Sequence, residues 1–248
     1  MGIFRQAITL PAPTSFPLDH TELDHLGAQI AQAAKDGHPV RVLVTGPGRG
    51  TGSSTLAWAL AQRAALEGQR VLFLDLDPLV PFTQHVLALD TADEIKIVGT
   101  LISRPWSVPG RQLDVACVNT AIAAHANRSE IGGQLADELD RLSMNYDLVV
   151  ADSAPVAARR STGALDGCAV AARFHLTFVT ALSGMTNAGQ LETVITRLAK
   201  MGARVGGIVL NERDMERPLE GLLRRAKQVA ARWPWMPRLL GIRSRTAF

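Results

Sequence analysis

The sequence predicts an α/β fold in which a mainly parallel, doubly wound sheet carries helices on both faces. Three observations support this prediction. Apolar runs of strand length alternate with amphipathic helical stretches, which is the pattern of repeated strand–helix–strand units. A glycine-rich turn joins the first apolar run to the helix that follows it, and two later runs end in aspartate. Because ligands of such sheets collect beyond the carboxyl ends of the strands, these features should meet at one edge.

The composition is that of a single globular domain. The chain has 248 residues, 47% of them hydrophobic, which is enough to bury one large core. No apolar run approaches the roughly 20 residues that cross a bilayer, and the N-terminus lacks a signal-peptide pattern. Cys117 and Cys168 lie far apart, so we expect two buried thiols rather than a disulfide framework or a zinc site. These features predict a cytoplasmic protein.

The elements follow in chain order. Residues 1–20, which contain three prolines, are expected to form an extended lead-in before a single domain over residues 21–248. Thr21 is expected to cap a first helix with an apolar face. The predicted strands are Val40–Thr45, Val71–Asp75, Leu148–Asp152, Leu176–Thr180 and Val205–Asn211. The predicted helices between them are Ser54–Glu67, Glu130–Met144 and Asn187–Met201. The segment Asp90–Gly110 is expected to be irregular, as a lid or a partner loop.

The last part of the chain is basic. Residues 217–248 carry eight Arg or Lys against the single acid Glu220, so the remaining residues net about −4 within an overall charge of +3. Residues 218–233 also have an amphipathic helical pattern. This stretch predicts either a last helix docked on the core or an interfacial helix that faces a membrane or an acidic partner. The local charge argues against general nucleic-acid binding.

The glycine-rich turn has the pattern of a phosphate-binding loop without its lysine. Residues 42–55 read V-L-V-T-G-P-G-R-G-T-G-S-S-T, and Ser53 stands where the pattern has Lys. Such a turn presents successive backbone N–H groups to a polyphosphate. Ser54 or Thr55 can place a hydroxyl on Mg²⁺. The predicted phosphate-binding residues are Gly48, Arg49, Gly50, Thr51, Gly52, Ser53, Ser54 and Thr55.

Aspartates at two strand ends supply the remaining nucleotide chemistry. Asp75 and Asp77 end one apolar run, and Asp152 ends another, so all three should lie near the glycine-rich turn. With Ser54, these carboxylates predict a Mg²⁺ site, in which Asp152 holds the ion through water and Asp75 orients an attacking water or contacts the metal. The alternative is that an aspartate at a strand end only caps the following turn or helix.

Over about residues 40–215 these motifs resemble the MinD/ParA-type P-loop ATPases, and among them the bacterial tyrosine kinases (BY-kinases) of polysaccharide export. The kinase loop reads T-S-P-G-x-G-x-G-K-S-T, from which residues 45–55 depart at Gly46 and Ser53. Asp75 and Asp77 match the second acidic motif, and Asp152 matches the D-x-x-P motif. The resemblance implies ATP or ADP with Mg²⁺, a nucleotide-sandwiched homodimer, and recognition of adenine by Asn211.

Several departures from the family pattern weaken the case for a kinase. Tyr146 is the only tyrosine, so the tyrosine-rich tail of those kinases is missing. The E-x-x-R-x-x-R ring-assembly pattern is absent around Glu22, and the second signature lysine of the ParA branch would fall on Gly48. The cellulose-secretion accessory protein BcsQ is similar in having a hydroxyl residue at the lysine position. Tyrosine autokinase activity is therefore not expected.

The sequence thus predicts a degenerate MinD/BY-kinase-like nucleotide-binding protein, at most a weak ATPase, that serves as an accessory or regulatory component of exopolysaccharide or cellulose synthesis and export. The expected partners are a second copy of the chain and an inner-membrane polysaccharide copolymerase or synthase component, at which the protein would be peripheral; no nucleic acid is expected. Three alternatives stay open. They are an active ATPase or protein kinase with a substitute cation such as Arg49, a ParA/MinD-like positioning protein, and a scaffold that has lost nucleotide.

Overall fold

The computed structural model describes residues 20–34, 38–78, 81–85, 100–119, 128–156 and 167–212. The helices are α1 (His20–Ala33), α2 (Ser53–Leu66), α3 (Phe82–His85), α4 (Arg128–Ser143), α5 (Gly167–Val170) and α6 (Ala188–Lys200), with a 3₁₀ turn at Ala171–Arg173. The strands are β1 (Val40–Thr45), β2 (Val71–Leu76), β3 (Trp106–Ser107), β4 (Leu113–Cys117), β5 (Leu148–Ser153), β6 (Leu176–Leu182) and β7 (Val205–Asn211). All of these elements lie in the unit that ends at Asn211.

The seven strands form one sheet in the order β3-β4-β2-β5-β1-β6-β7. Every neighbouring pair is parallel except β3 and β4, which are antiparallel. β2, β5 and β6 are buried along their whole length, which explains why they read as continuous apolar runs rather than as alternating patterns. The predicted doubly wound α/β fold is confirmed.

Two hydrophobic clusters cover the two faces of the sheet. On one face α1 and α2 pack against the sheet, and the rings of Trp58, Phe73 and Phe82 meet there at centroid distances of 5.1 to 5.9 Å. On the other face α4, α5 and α6 contribute apolar side chains such as Leu135, Leu139 and Leu198. Helices on both faces leave the ends of the strands as the place where polar groups gather.

The structure corrects some sequence-based boundaries. α1 includes both His20 and Thr21, so Thr21 is a helical residue rather than the predicted cap. The segment predicted to be irregular contains β3, and β4 was not predicted at all. The predicted lead-in covered residues 1–20, of which His20 belongs to α1 and residues 1–19 lie outside the described residues, as do the predicted basic helix and tail over 217–248. No helix in the described ranges combines the length and the apolar character that a membrane span requires.

Candidate functional site: a phosphate-binding loop beside buried aspartates

The glycine-rich turn connects β1 to the first turn of α2. Gly50 and Gly52 have φ angles of 79° and 94°, a left-handed conformation that glycine adopts without a steric penalty. Gly52 is the N-cap of α2, so Ser53 is the first helical residue. No acidic side chain lies in the first turn of α2. Because the first N–H groups of a helix have no acceptor within the helix, and its dipole is positive at this end, the start of α2 is suited to bind an anion.

Two threonine hydroxyls hold the loop against the sheet. The Thr51 hydroxyl donates to the Gly48 carbonyl at 3.2 Å and lies 2.9 Å from the hydroxyl of Thr180 on β6. The Thr180 hydroxyl in turn donates to the Thr45 carbonyl at the end of β1, at 3.2 Å. A Cβ atom on Gly46 would collide with both hydroxyls. The absence of a side chain at Gly46 therefore leaves space for the hydrogen bonds of Thr51 and Thr180 that fix the loop.

Asp75 is fully buried on β2 and its carboxylate is well supplied with donors. Its Oδ2 accepts from the backbone N–H and the hydroxyl of Thr83, both at 2.8 Å, and its Oδ1 accepts from the Asp77 N–H at 3.2 Å. Burial raises the pKa of Asp75 from 3.8 to about 6, although these hydrogen bonds oppose the shift. Asp75 thus joins β2 to the start of α3.

Asp77 follows β2 and pairs with the loop. Its Oδ2 lies 3.1 Å from Nη1 of Arg49, and its side chain is only 8% exposed, whereas that of Arg49 is 45% exposed. The structure therefore brings the guanidinium of the phosphate loop onto a nearly buried carboxylate, a contact that the sequence did not predict.

Asp152 lies on β5 between β1 and β2, in register with Val44 and Asp75. Ser54 and Ser53, the first residues of α2, lie beside its side chain and act to lower its pKa, against the effect of burial. Its Oδ1 is buried and has no hydrogen-bond partner within the described part of the chain. Burial, followed by the negative charge of Asp75, raises the pKa of Asp152 well above its usual range.

Asn211 ends β7 beside the same helix end. Its side-chain Nδ2 donates to the Thr51 carbonyl at 3.2 Å, and a Cβ atom on Gly52 would collide with the Asn211 amide. The resemblance to BY-kinases implied adenine binding by Asn211, and that role stays a prediction. The side chain does lie against the loop that the sequence assigned to phosphate.

The predicted Mg²⁺ ligands fit the ion unequally. Ser54 and the unpartnered Oδ1 of Asp152 are hard oxygen donors, as Mg²⁺ requires. Both oxygens of Asp75 already accept hydrogen bonds, and Asp77 pairs with Arg49. Among the residues that the structure describes, no group of three or more His, Cys, Asp or Glu side chains is arranged to hold a metal.

Sequence reasoning missed Thr83 and Thr180, which orient Asp75 and the loop. No local pattern marks either threonine, because each acts across a tertiary contact. Tyr146, the only tyrosine, is half-buried, and its hydroxyl donates to Asp114 at 2.8 Å. It is therefore engaged in packing rather than displayed on a tail.

A glycine-rich loop that opens a helix, next to aspartates on two neighbouring parallel strands, defines a P-loop nucleoside-triphosphatase fold. Solved structures agree. The kinase domain of the Escherichia coli tyrosine kinase ETK has a TM-score of 0.62 and 18% identity over 78% of this chain and 76% of its own. A Borrelia burgdorferi plasmid partition protein bound to AMPPNP has a TM-score of 0.54 and 16% identity over 77% and 81%. The fold is that of BY-kinase domains and ParA/MinD-like P-loop proteins.

Curated sequences give the same resemblance. The tyrosine-protein kinase ptk of Acinetobacter johnsonii is 27% identical over 189 residues, 73% of this chain and 24% of the relative. EpsB of Ralstonia solanacearum is 28% identical over 201 residues, 77% of this chain and 25% of the relative. The chain therefore spans about a quarter of the length of these relatives. No protein-family model matches the chain.

Proposed function

We propose that this chain binds ATP or ADP with Mg²⁺ at the loop 48–55 and uses the nucleotide to control assembly rather than to drive turnover. The observation that carries the proposal is the geometry of the loop. Gly50 and Gly52 hold left-handed conformations that open α2, and Asp152 contacts the first helical residues Ser53 and Ser54. Phosphate oxygens would accept from the N–H groups of this turn. Asn211, whose amide contacts the loop, is our candidate for adenine recognition.

The replacement of the loop lysine by Ser53 should weaken nucleotide binding much less than it slows hydrolysis. A hydrogen bond from a charged donor contributes about 1.5 to 3 kcal/mol, so its loss weakens binding by roughly one to two powers of ten. Cationic stabilisation of a transferring phosphoryl group contributes about 10³- to 10⁵-fold in rate in comparable systems. Binding can therefore persist while hydrolysis is weak or absent. We accordingly describe the site as a degenerate P-loop.

Within this site Ser54 and Asp152 would hold Mg²⁺, and the bound ion would neutralise phosphate charge. Asp152 is suited to this role because its Oδ1 is buried without a partner. Asp75 would orient water in any residual hydrolysis. Because Asp75 is fixed by Thr83, its orientation does not depend on the ligand.

The resemblance to BY-kinases suggests the setting in which such a switch would work. We propose an accessory or regulatory role in exopolysaccharide synthesis and export, as a cytoplasmic homodimer at an inner-membrane copolymerase or synthase component. Two relatives that carry kinase names support this setting. An autokinase role is not proposed because Tyr146 is half-buried and bonded to Asp114.

The first test is calorimetric titration of the purified chain with MgATP and MgADP, while light scattering follows the oligomeric state. We expect micromolar binding that promotes dimers, binding about 10- to 100-fold tighter in Ser53→Lys, and loss of binding in Asp152→Ala. Steady-state phosphate release should be near background in the natural chain. No binding by the natural chain, regained in Ser53→Lys, would instead indicate a scaffold that has abandoned its nucleotide.

A further inference from the structure

The cation of the glycine-rich loop is paired with a carboxylate at the end of a neighbouring strand. Arg49 is the only Lys or Arg within residues 46–55. Its Nη1 contacts the Asp77 carboxylate at 3.1 Å. Gly48 and Gly50 flank it, and the Arg49 side chain is 45% exposed. The guanidinium is therefore partly open to solvent and has space to change partners.

The pairing of Arg49 with Asp77 matters because the loop offers one cation and three buried carboxyl groups lie close to it. With serine at position 53, the loop contributes Arg49 as its cation, while Asp75, Asp77 and Asp152 lie at the neighbouring strand ends and are 0 to 6% exposed. The Asp77 carboxylate is nearly buried, so its attraction for a guanidinium is weakly screened by solvent. A polyphosphate can compete with Asp77 for the guanidinium, because the planar N–H donors of arginine bind phosphate and carboxylate groups in the same way.

We propose that Asp77 competes with the nucleotide phosphates for Arg49, so that the Arg49–Asp77 pair is a latch that sets nucleotide affinity. In the free protein the latch is closed. When the nucleotide binds, its phosphate oxygens replace Asp77 as the partner of the guanidinium. Asp77 is thus a positioning residue that acts through Arg49. The inference rests on the proposed nucleotide binding and assigns to Asp77 a role opposite to that of a metal ligand.

The test is a double-mutant cycle measured by calorimetry with MgADP, and repeated with ADP in EDTA. Asp77→Asn should bind about three- to tenfold more tightly, because the guanidinium no longer has to leave a carboxylate. Arg49→Gln should bind more weakly than the natural chain, and the double variant should match Arg49→Gln. Asp147→Asn is the matched control and should leave binding unchanged. Asp147 also pairs with an arginine, Arg70, but it lies just before β5, at the end of the strands away from the glycine-rich loop.

Each outcome separates the latch from its alternatives. Weaker binding by Asp77→Asn only when Mg²⁺ is present would identify Asp77 as a metal ligand and overturn the latch. Unchanged binding would overturn it too. If the natural chain binds no nucleotide, the proposed function fails, and phenylglyoxal modification then tests the latch alone. Arg49 should be modified severalfold faster in Asp77→Asn than in the natural chain, whereas an equal rate would exclude a functional pair.

Discussion

Gly46 occupies a position where the resemblance to BY-kinases leads to an expectation of serine, and the structure gives a reason for the exchange. The hydroxyls of Thr51 and Thr180 meet at 2.9 Å in the space that a side chain at position 46 would fill. The loop is therefore held by the contact between Thr51 and Thr180 on β6, and not by a side chain at position 46. This arrangement is buried, so it leaves little room for adjustment.

Introducing the serine of the BY-kinase loop at position 46 should consequently destabilise this chain. Gly46→Ser is expected to lower the free energy of unfolding by about 1 to 3 kcal/mol, because the new side chain must displace the two hydroxyls. Urea denaturation of the apo protein measures this change. Gly48→Ala is the matched control, since its Cβ meets no atom within 4 Å, and it should change stability by less than about 0.5 kcal/mol. Equal losses in the two variants would contradict the explanation.

At the scale of single residues, the sequence predicts the candidate site only where the position of a residue along a strand determines which residues lie near it. The convergence of Asp75, Asp77 and Asp152 was predictable, because the carboxyl ends of parallel strands share one edge. The pairing of Asp77 with Arg49 was not, because it depends on the conformation of two side chains that are 28 positions apart. Thr83 was missed for a similar reason, since its hydrogen bond to Asp75 joins residues that are eight positions apart.

At the scale of elements, one buried carboxylate joins α4 to the chain before β3. Both oxygens of Glu138 on α4 accept backbone N–H groups, from Leu101 at 2.8 Å and from Ile102 at 2.7 Å. Glu138 is only 5% exposed, so these N–H groups have little access to water. The glutamate therefore replaces the backbone partners that a regular sheet would supply.

Glu138→Gln should loosen this junction. A glutamine offers one acceptor oxygen and directs its NH₂ group at a backbone donor, so one buried N–H loses its partner. The expected loss is about 1 to 3 kcal/mol in the free energy of unfolding, measured by urea denaturation. Glu192→Gln on the exposed face of α6 makes the same chemical change and should be nearly neutral. A neutral Glu138→Gln would mean that water satisfies the N–H groups.

The elements differ in how well the sequence predicts them. β1 and β7 have the predicted bounds, because each is an apolar run with clear breaks at both ends. β3 has two residues and is flanked by Pro105 and Pro109, so it gives no periodic signal. β4 is short and includes Asp114, and its position at the sheet follows from pairing with β2 rather than from a pattern of its own.

At the scale of the whole molecule, the fold places ionisable groups where water cannot reach them. Seven strands with helices on both faces bury the end of β2 and the end of β5 together, and the Cα atoms of Asp75 and Asp152 are in register on these adjacent strands. Burial is the main cause that raises the pKa of both carboxyl groups, and negative charge adds to it, from Asp77 at Asp75 and mainly from Asp75 at Asp152. The stability of the fold should therefore depend on pH, and a cation bound in the site would reduce the cost of ionising these carboxyl groups.

The expected direction follows from linkage. The pKa of Asp75 is raised from 3.8 to about 6 in the folded chain, so between these values the native state holds more protons than the unfolded state. Stability should therefore fall as pH rises from about 4 to 6, by up to about 3 kcal/mol for this group alone. The raised pKa of Asp152 acts in the same direction, whereas His175, whose pKa is lowered by burial, favours stability as pH rises towards 6.5.

Urea denaturation in EDTA at intervals from pH 4 to 7 measures this dependence. Asp75→Asn and Asp152→Asn should each flatten the fall with pH, whatever constant offset their lost hydrogen bonds introduce. The His175 contribution is common to all three proteins and cancels in the differences between them. Parallel curves for the natural chain and both variants would show that neither carboxyl changes its pKa on folding. Because Mg²⁺ at Asp152 would favour the ionised form, adding Mg²⁺ near neutral pH should raise the stability of the natural chain but not of Asp152→Asn.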